Sequence, residues 1–302
     1  MLTWEGITKK FSADLFVAPF VALDNVSFTV PDGSMVGFIG ANGAGKTTCL
    51  KIALDFIRPT SGVVNYSPRL GKNRKEIFKH IGFLPERPYY YPHLKGEDFI
   101  LFMGELSGLA RSQIKVKLPS LAQRFRLDHA LHRELKTYSK GMLQRIGFLV
   151  TVLHEPQLII LDEPLSGLDP VGRKEMKDII VEIHREGKTV FFSSHIVSDV
   201  EEVCDRVVFL RQGKLIHDGP VQPLLDAHAR PAWRVSILKS THEIACPILS
   251  RTTLGGGIDA IEVTSDLKDK LVQELSSKGF SITGLEQIKP HLEEIFYQTG
   301  KS

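Results

Sequence analysis

Apolar and polar positions alternate through the start of the chain. In Val26-Ser27-Phe28-Thr29-Val30 the apolar residues share one face, and Pro31-Asp32-Gly33 then supplies turn chemistry. Met35-Val36-Gly37-Phe38-Ile39 is apolar throughout and short enough for a buried strand. Beyond it the period changes, with Cys49, Leu50, Ala53, Leu54 and Ile57 recurring at helical spacing. Residues 1–39 therefore predict strands and turns, and the segment after Lys46 predicts a helix.

Further on the two periods take turns. Residues 71–80 are rich in lysine and arginine and read as the solvated face of a helix. Ile81-Gly82-Phe83-Leu84 is a short strand that runs into Pro85-Glu86. Tyr89, Tyr90 and Tyr91 lie between Pro88 and Pro92, which excludes a regular element there. That segment is either a packed loop or an aromatic partner surface. Phe99, Ile100, Phe102, Met103 and Leu106, then Leu121, Phe125 and Leu127, have helical period. Residues 96–155 thus predict a helical insertion between strands. Its last helix has Ser139 as a candidate N-cap and Pro156 as its stop.

Leu158-Ile159-Ile160-Leu161 is the continuous apolar run expected of a parallel strand covered on both faces. A helix follows from about Val171 to Arg185, then a buried strand over Thr189–Phe192 that ends at Ser193-Ser194-His195. Val207–Leu210 and Lys214–His217 close this part around the turn at Arg211-Gln212-Gly213. Past Pro223 the pattern shifts to strands near 232–238 and 258–264, and a helix over Asp266–Lys278. A weak strand over Ser281–Leu285 and a helix over Leu292–Tyr297 follow. Gly255–Gly257 reads as a flexible connection. The expectation is a large α/β domain over 1–222, with its helical insertion at about 86–155, and a small α+β domain over 223–302.

Composition removes several classes. Hydrophobic residues are 42% and charged residues 24%, as in ordinary globular proteins, and a net charge of +3 is too small to argue for nucleic acid. The three cysteines, Cys49, Cys204 and Cys246, have neither metal-ligand spacing nor a disulfide framework, which fits a reducing compartment. The N-terminal residues show no secretion signal. The longest apolar stretch, Ile146–Leu161, is broken by His154-Glu155-Pro156, so no bilayer-spanning segment is expected.

Three clusters carry chemistry. Gly40 to Thr48 fits G-x-x-x-x-G-K-[ST], with Gly40, Gly45, Lys46 and Thr47 in the fixed places and Asn42, Gly43, Ala44 and Thr48 completing the cradle. The motif sits between the apolar strand and the helix, where backbone N–H groups and the helix start together suit a phosphate chain. Lys46 reaches towards outer phosphates, and the Thr47 hydroxyl is placed for Mg²⁺. Asp162 and Glu163 stand at the carboxyl end of a buried strand, suited to metal and water chemistry. His195 ends a neighbouring strand and faces the crevice where α/β proteins bind ligands.

In this order these residues resemble the ATP-binding subunit of an ABC transporter, over about residues 1–220. The set is Gly40–Thr47, the Glu86 segment, Tyr138-Ser139-Lys140-Gly141-Met142, Leu158–Glu163, Ser166–Asp169 and His195. The resemblance implies a P-loop NTPase fold, a RecA-like core with an inserted helical subdomain, working as a head-to-tail homodimer around two ATP molecules. It implies that Phe11 stacks on adenine, with Phe16 or Phe20 as substitutes, and that Lys46 and the loop backbone hold the phosphates. Thr47 and Asp162 would hold Mg²⁺, with Glu86 a further candidate ligand. Glu163 would polarise the attacking water and His195 would contact the terminal phosphate. Ser139 and Gly141 would reach the partner chain's ATP, and Asp169 would bridge the two sites.

Two departures stand out. Glu86 replaces the family's usual glutamine, and the signature reads Tyr-Ser-Lys-Gly-Met rather than the commoner Leu-Ser-Gly-Gly-Gln. Both variants resemble a subfamily of exporters whose membrane permease is a separate chain. The resemblance therefore implies an ATPase in the cytoplasm, peripheral on the inner face of the membrane through that permease. Soluble mechanical ATPases of the same superfamily usually show paired halves, long coiled coils or basic arms. None is seen here, so no nucleic-acid partner is expected.

Overall fold

The computed structural model describes residues 1–11, 19–228, 232–239, 243–288 and 291–298. It divides into two compact units, Met1–Val221 and Gln222–Ser302.

The first unit opens with β1 (Leu2–Phe11) and β2 (Phe20–Val30), an antiparallel pair in which Leu2 faces Val30 and Phe11 faces Phe20. The alternation expected for Val26–Val30 is met, with Val26, Phe28 and Val30 buried. β3 (Met35–Ile39) is buried at every position and delivers the chain to α1 (Lys46–Ala53). β4 (Ser61–Tyr66) pairs antiparallel with β1, completing a three-stranded sheet of order β2-β1-β4. Then come α2 (Arg74–Lys79) and β5 (Ile81–Leu84). Asn73 caps α2 by accepting from the Glu76 amide, and Ile77 is its one buried residue, as a solvated helix requires.

Three helices follow: α3 (Gly96–Leu106), α4 (Arg111–Arg124) and α5 (Lys140–Val152). They form the helical insertion, with Phe125 edge-on to Phe148 at 5.4 Å inside it. The chain returns through β6 (Leu158–Asp162), α6 (Pro170–Arg185), β7 (Thr189–Ser194), α7 (Val197–Val203), β8 (Arg206–Arg211) and β9 (Lys214–Pro220).

The second sheet of this unit has six strands in the order β5-β6-β7-β3-β8-β9. All neighbours are parallel except the β8–β9 hairpin. β6 and β7 are buried at every position, the reason they read as unbroken apolar runs rather than as alternating ones. The main core lies between the two sheets and α1. Trp4 stacks on Phe28 at 4.2 Å, and Phe38 and Phe191 extend the aromatic cluster beneath Cys49, Leu50 and Ala53. Burying a side chain of this size contributes about 1.5–3 kcal/mol. This core fixes the strand ends and the start of α1 from below.

The second unit begins within α8 (Val221–His228) and is built on a four-stranded antiparallel sheet of order β11-β12-β10-β13. Its strands are β10 (Ala232–Leu238), β11 (Ser250–Leu254), β12 (Ile258–Thr264) and β13 (Ile282–Gln287). α9 (Lys268–Ser277) packs Leu271 and Leu275 against Val235, Ile237, Ile261 and Val263, and α10 (Leu292–Gln298) follows. Gly255–Gly257 is not a loose connection. It is the tight turn of the β11–β12 hairpin, with Gly256 and Gly257 at φ of 75° and 73°. β11 was hidden from the pattern because it is an edge strand of polar residues.

Candidate active site

The parallel strands β3, β6 and β7 end side by side, and every candidate catalytic group of the first unit sits at or just beyond those ends. Between β3 and α1 the chain wraps as a loop whose last residue, Gly45, has φ of 107°. A Cβ there would meet the Ala22 carbonyl at 2.6 Å and Leu23 at 2.9 Å, so only glycine fits. The loop walls a cavity of about 340 Å³. Ala41, Asn42, Gly43, Ala44, Gly45, Lys46, Thr47 and Thr48 line one side of it; Glu86, Glu163, Ser166 and His195 line the other.

Lys46 is buried, its ammonium donating to the Gly40 carbonyl at 2.6 Å and lying 3.1 Å from Glu163 Oε1. That oxygen is buried and makes no hydrogen bond, so its contact with Lys46 is Coulombic. The other carboxylate oxygen, Oε2, is 2.8 Å from His195 Nδ1. Facing a carboxylate, Nδ1 carries the proton and donates it. Glu163 itself holds φ of 51°, the left-handed region that a side chain enters at a cost of about 1–2 kcal/mol. Backbone strain of this kind gathers at functional sites.

Asp162 lies one layer deeper, almost fully buried, and burial pushes its carboxyl above the usual carboxylate range. Hydrogen bonds from Ser193 and Thr47 oppose that shift, and the nearby Glu163 and Glu86 carboxylates add to it. Ser193 was not singled out from sequence, yet it organises the pair. Its hydroxyl donates to Asp162 Oδ1 at 2.6 Å and accepts the Glu163 amide at 2.9 Å. A polar residue ending an apolar strand, two positions before His195, was the signal available.

The aromatic candidates separate. Phe20 lines the cavity, whereas Phe11 pairs with Phe20 across the sheet and is not part of the wall; Phe11 instead carries Lys9 Nζ 5.0 Å above its ring. Phe16 lies outside the described residues. Register decides between the two strands, and sequence order does not reveal it.

Ser139, Gly141 and Asp169 do not line the cavity either. Ser139 caps α5, its hydroxyl accepting from the Met142 amide at 3.2 Å. Asp169 caps α6 by accepting from the Gly172 amide at 2.8 Å. Tyr138 is buried and donates to the Ala130 carbonyl at 2.7 Å, which holds the turn before α5 in place. The Tyr89–Tyr91 segment divides between packing and exposure. Tyr90 turns inward and donates to the Leu143 carbonyl of α5 at 2.5 Å. Tyr89 and Tyr91 face out, forming with Phe102 an apolar hollow of about 580 Å³.

A family profile described as ABC transporter matches residues 23–166. An ABC transporter ATP-binding protein of Nostoc is 42% identical over 208 residues, which is 68% of this chain and 62% of the Nostoc protein. A bacitracin transport ATP-binding protein of Enterococcus faecalis is 30% identical across 97% of this chain and 94% of its own length. The chain belongs to the ABC transporter ATP-binding proteins. Among solved structures, the ATP binding subunit of an ABC transporter superposes with a TM-score of 0.65 at 29% identity, covering 75% of this chain and 92% of that one. The fold of the first unit is therefore the P-loop NTPase fold of an ABC ATPase.

The donor set suits a hard divalent ion. Thr47, Asp162 and Glu86 offer oxygen only, and among the described residues no three His, Cys, Asp or Glu side chains form a ready metal cluster. An ion such as Mg²⁺ fits such a site, because it is commonly held by one or two carboxylates together with substrate phosphates. Among the described residues, no helix is long and apolar enough to cross a membrane.

Proposed function

We propose that this ABC ATP-binding subunit hydrolyses Mg-ATP as a head-to-tail homodimer and drives a separate membrane permease of the exporter type. The observation that carries the reading is the contact chain Lys46–Glu163–His195 along the wall of the phosphate cavity, with Thr47, Ser193 and Asp162 beneath it.

The loop amides of Gly43–Thr48 and the Lys46 ammonium hold the β- and γ-phosphates, and arrival of the nucleotide draws Lys46 from Glu163 onto the phosphates. Thr47 and Asp162 would hold Mg²⁺, with Glu86 on the same wall, and the ion would neutralise charge on the phosphate oxygens. Glu163, released from Lys46, accepts a hydrogen bond from the attacking water and orients it at the γ-phosphorus. The water oxygen bonds to phosphorus, the bond to the bridging oxygen of ADP breaks, and the proton of the water leaves by way of the carboxylate. His195 bonds Glu163 through Nδ1–H and, as the imidazolium, also donates from Nε2 to the terminal phosphate. Phe20, on the cavity wall, is the aromatic placed for the base. Such catalysis rests on positioning and charge neutralisation.

The head-to-tail arrangement is supported by what the cavity lacks. One side of it is open, and Ser139, exposed, and Gly141, half-buried, lie elsewhere on the same chain at the start of a helix. A second copy supplies that missing wall with its own signature turn, and Asp169 then lies between the sites. The exposed Tyr89–Tyr91 hollow is the surface for the permease, and Tyr90 ties it to α5, so that docking is felt at the signature helix. The bacitracin transport relative supports coupling to transport, and the subfamily resemblance supports its outward direction. A subunit of this kind works in the cytoplasm, on the inner face of the membrane.

Glu163→Gln tests the reading. It is expected to retain ATP and form a stable ATP-dependent dimer, seen by size exclusion with light scattering, while phosphate release falls about 100-fold or more. Phosphate release near the parent rate in that variant sinks the assignment of Glu163.

A further inference from the structure

The helical insertion is joined to the core helix α6 by an ionic seam. Arg124, Arg126 and Arg145 come from the insertion; Glu175, Glu182 and Glu186 lie seven and four residues apart along one face of α6 and its end. Arg124 meets Glu182 at 3.4 Å and Glu186 at 2.7 Å, both pairs open to solvent on the glutamate side. Exposed pairs of this kind contribute little.

Glu175 differs. It is 17% accessible and takes two arginines at once, Arg126 on Oε1 and Arg145, itself 19% accessible, on Oε2 at 3.4 Å. Arg145 also points Nε back to the Gly141 carbonyl at 3.4 Å. One carboxylate of the core is thus linked, through one side chain, to the signature glycine. Arg126 holds φ of 54° just past the end of α4, where glycine is the common choice. Phe125, buried beside it against Phe148, fixes the approach.

We propose that Glu175 is a positioning residue of the ATPase: it sets the signature turn, Ser139 to Gly141, at the angle from which it grips the triphosphate bound by a second copy of this chain. The proposal rests on the two-chain reading above for its consequence, but the seam itself is intramolecular. Removing the charge leaves two guanidinium groups facing each other across an uncharged side chain. Their repulsion loosens the start of α5 without touching the phosphate loop, which is held by β3 and the main core. Binding of ATP to one chain is therefore spared, and the step that needs both chains suffers.

The test is Glu175→Gln in the full chain, read by hydrogen exchange and by steady-state turnover. Exchange across residues 139–145 is expected to quicken about tenfold while residues 40–48 keep the parent rate. Turnover at saturating ATP is expected to fall about tenfold, with half-saturating ATP moving less than about threefold. Exchange across 139–145 within about twofold of the parent overturns the proposal, as does a loss of ATP affinity that accounts for the slower turnover. Should Glu175→Gln fail to fold, Arg145→Gln leaves Arg126 on Glu175 and is expected to give the same pattern at smaller size; unchanged exchange there is equally fatal. Failure of Glu163→Gln to pair with ATP would count against the two-chain reading instead, and the exchange measurement still decides the role of Glu175.

Discussion

Two helix starts in this protein carry the proposed phosphate contacts, and they are built in opposite ways. The start of α1 is preceded by a glycine that nothing else can replace, backed by the main core, and faced by the buried Lys46 and Glu163. The start of α5 is open: a Cβ on Gly141 would meet nothing nearer than Leu168 at 3.7 Å, and Ser139 caps the helix with its own hydroxyl. A cavity with convergent charges binds a polyanion by itself. A capped, exposed turn satisfies its own donors in water and gains a ligand only when another surface brings one. On the proposed two-chain reading, the first site binds the nucleotide and the second is a gate that another copy closes.

Breaking the buried site gives the largest effect. Lys46→Ala removes the cation that meets the phosphates, a loss of about 2–5 kcal/mol for a buried charge contact, and ATP binding followed by calorimetry is expected to fall by roughly two orders of magnitude or more. Gly45→Ala reaches the same end through strain, since its methyl group strikes the Ala22 carbonyl; a lowered melting temperature accompanies the loss of ATP binding. Ser139→Ala sharpens the comparison from the other side. It deletes a cap worth about 1 kcal/mol, so the melting temperature drops by about 2–4 °C, and turnover falls while single-chain ATP affinity stays at the parent value. A matching loss of single-chain ATP affinity would erase the distinction between the two helix starts.

The smallest effect belongs to the second unit. Glu274 accepts from Lys278 and from the Ala245 and Cys246 amides, with Lys278 the leading cause, and its carboxyl is held down at about 2 against an ordinary 4.5. A depressed carboxylate contributes stability that is complete above about 4.5 and is lost as the pH falls towards 2. Trp233 reports on that unit and Trp4 on the first. In a Trp4→Phe background, Trp233 fluorescence is expected to shift over that acid range, and Glu274→Gln to flatten the transition, with neutral-pH ATP turnover unchanged.

Much of the first unit was legible because its signals are local. Buried parallel strands must be apolar at every position, so β3, β6 and β7 announced themselves, and the acids that break off β6 stood out against that background. The loop before α1 was legible because glycine positions and a lysine at fixed spacing are a backbone requirement. Strands such as β4 and β11 were not, since half-exposed and edge strands share their composition with loops. Tyr90 gave no sign that it alone among three tyrosines turns inward.

The residues by themselves determined a strand–loop–helix cradle for phosphate, two carboxylates and a histidine at strand ends, and a helical stretch between them, since each depends on neighbours a few positions away. Only the tertiary structure decided that Phe20 rather than Phe11 lines the cavity, that Ser193 organises Asp162 and Glu163, and that Glu175 gathers two arginines beside the signature turn. The Ser193 and Glu175 contacts join residues 30 to 49 positions apart. Strand register and the packing of the insertion on α6 set them, and neither is written in any short stretch of chain.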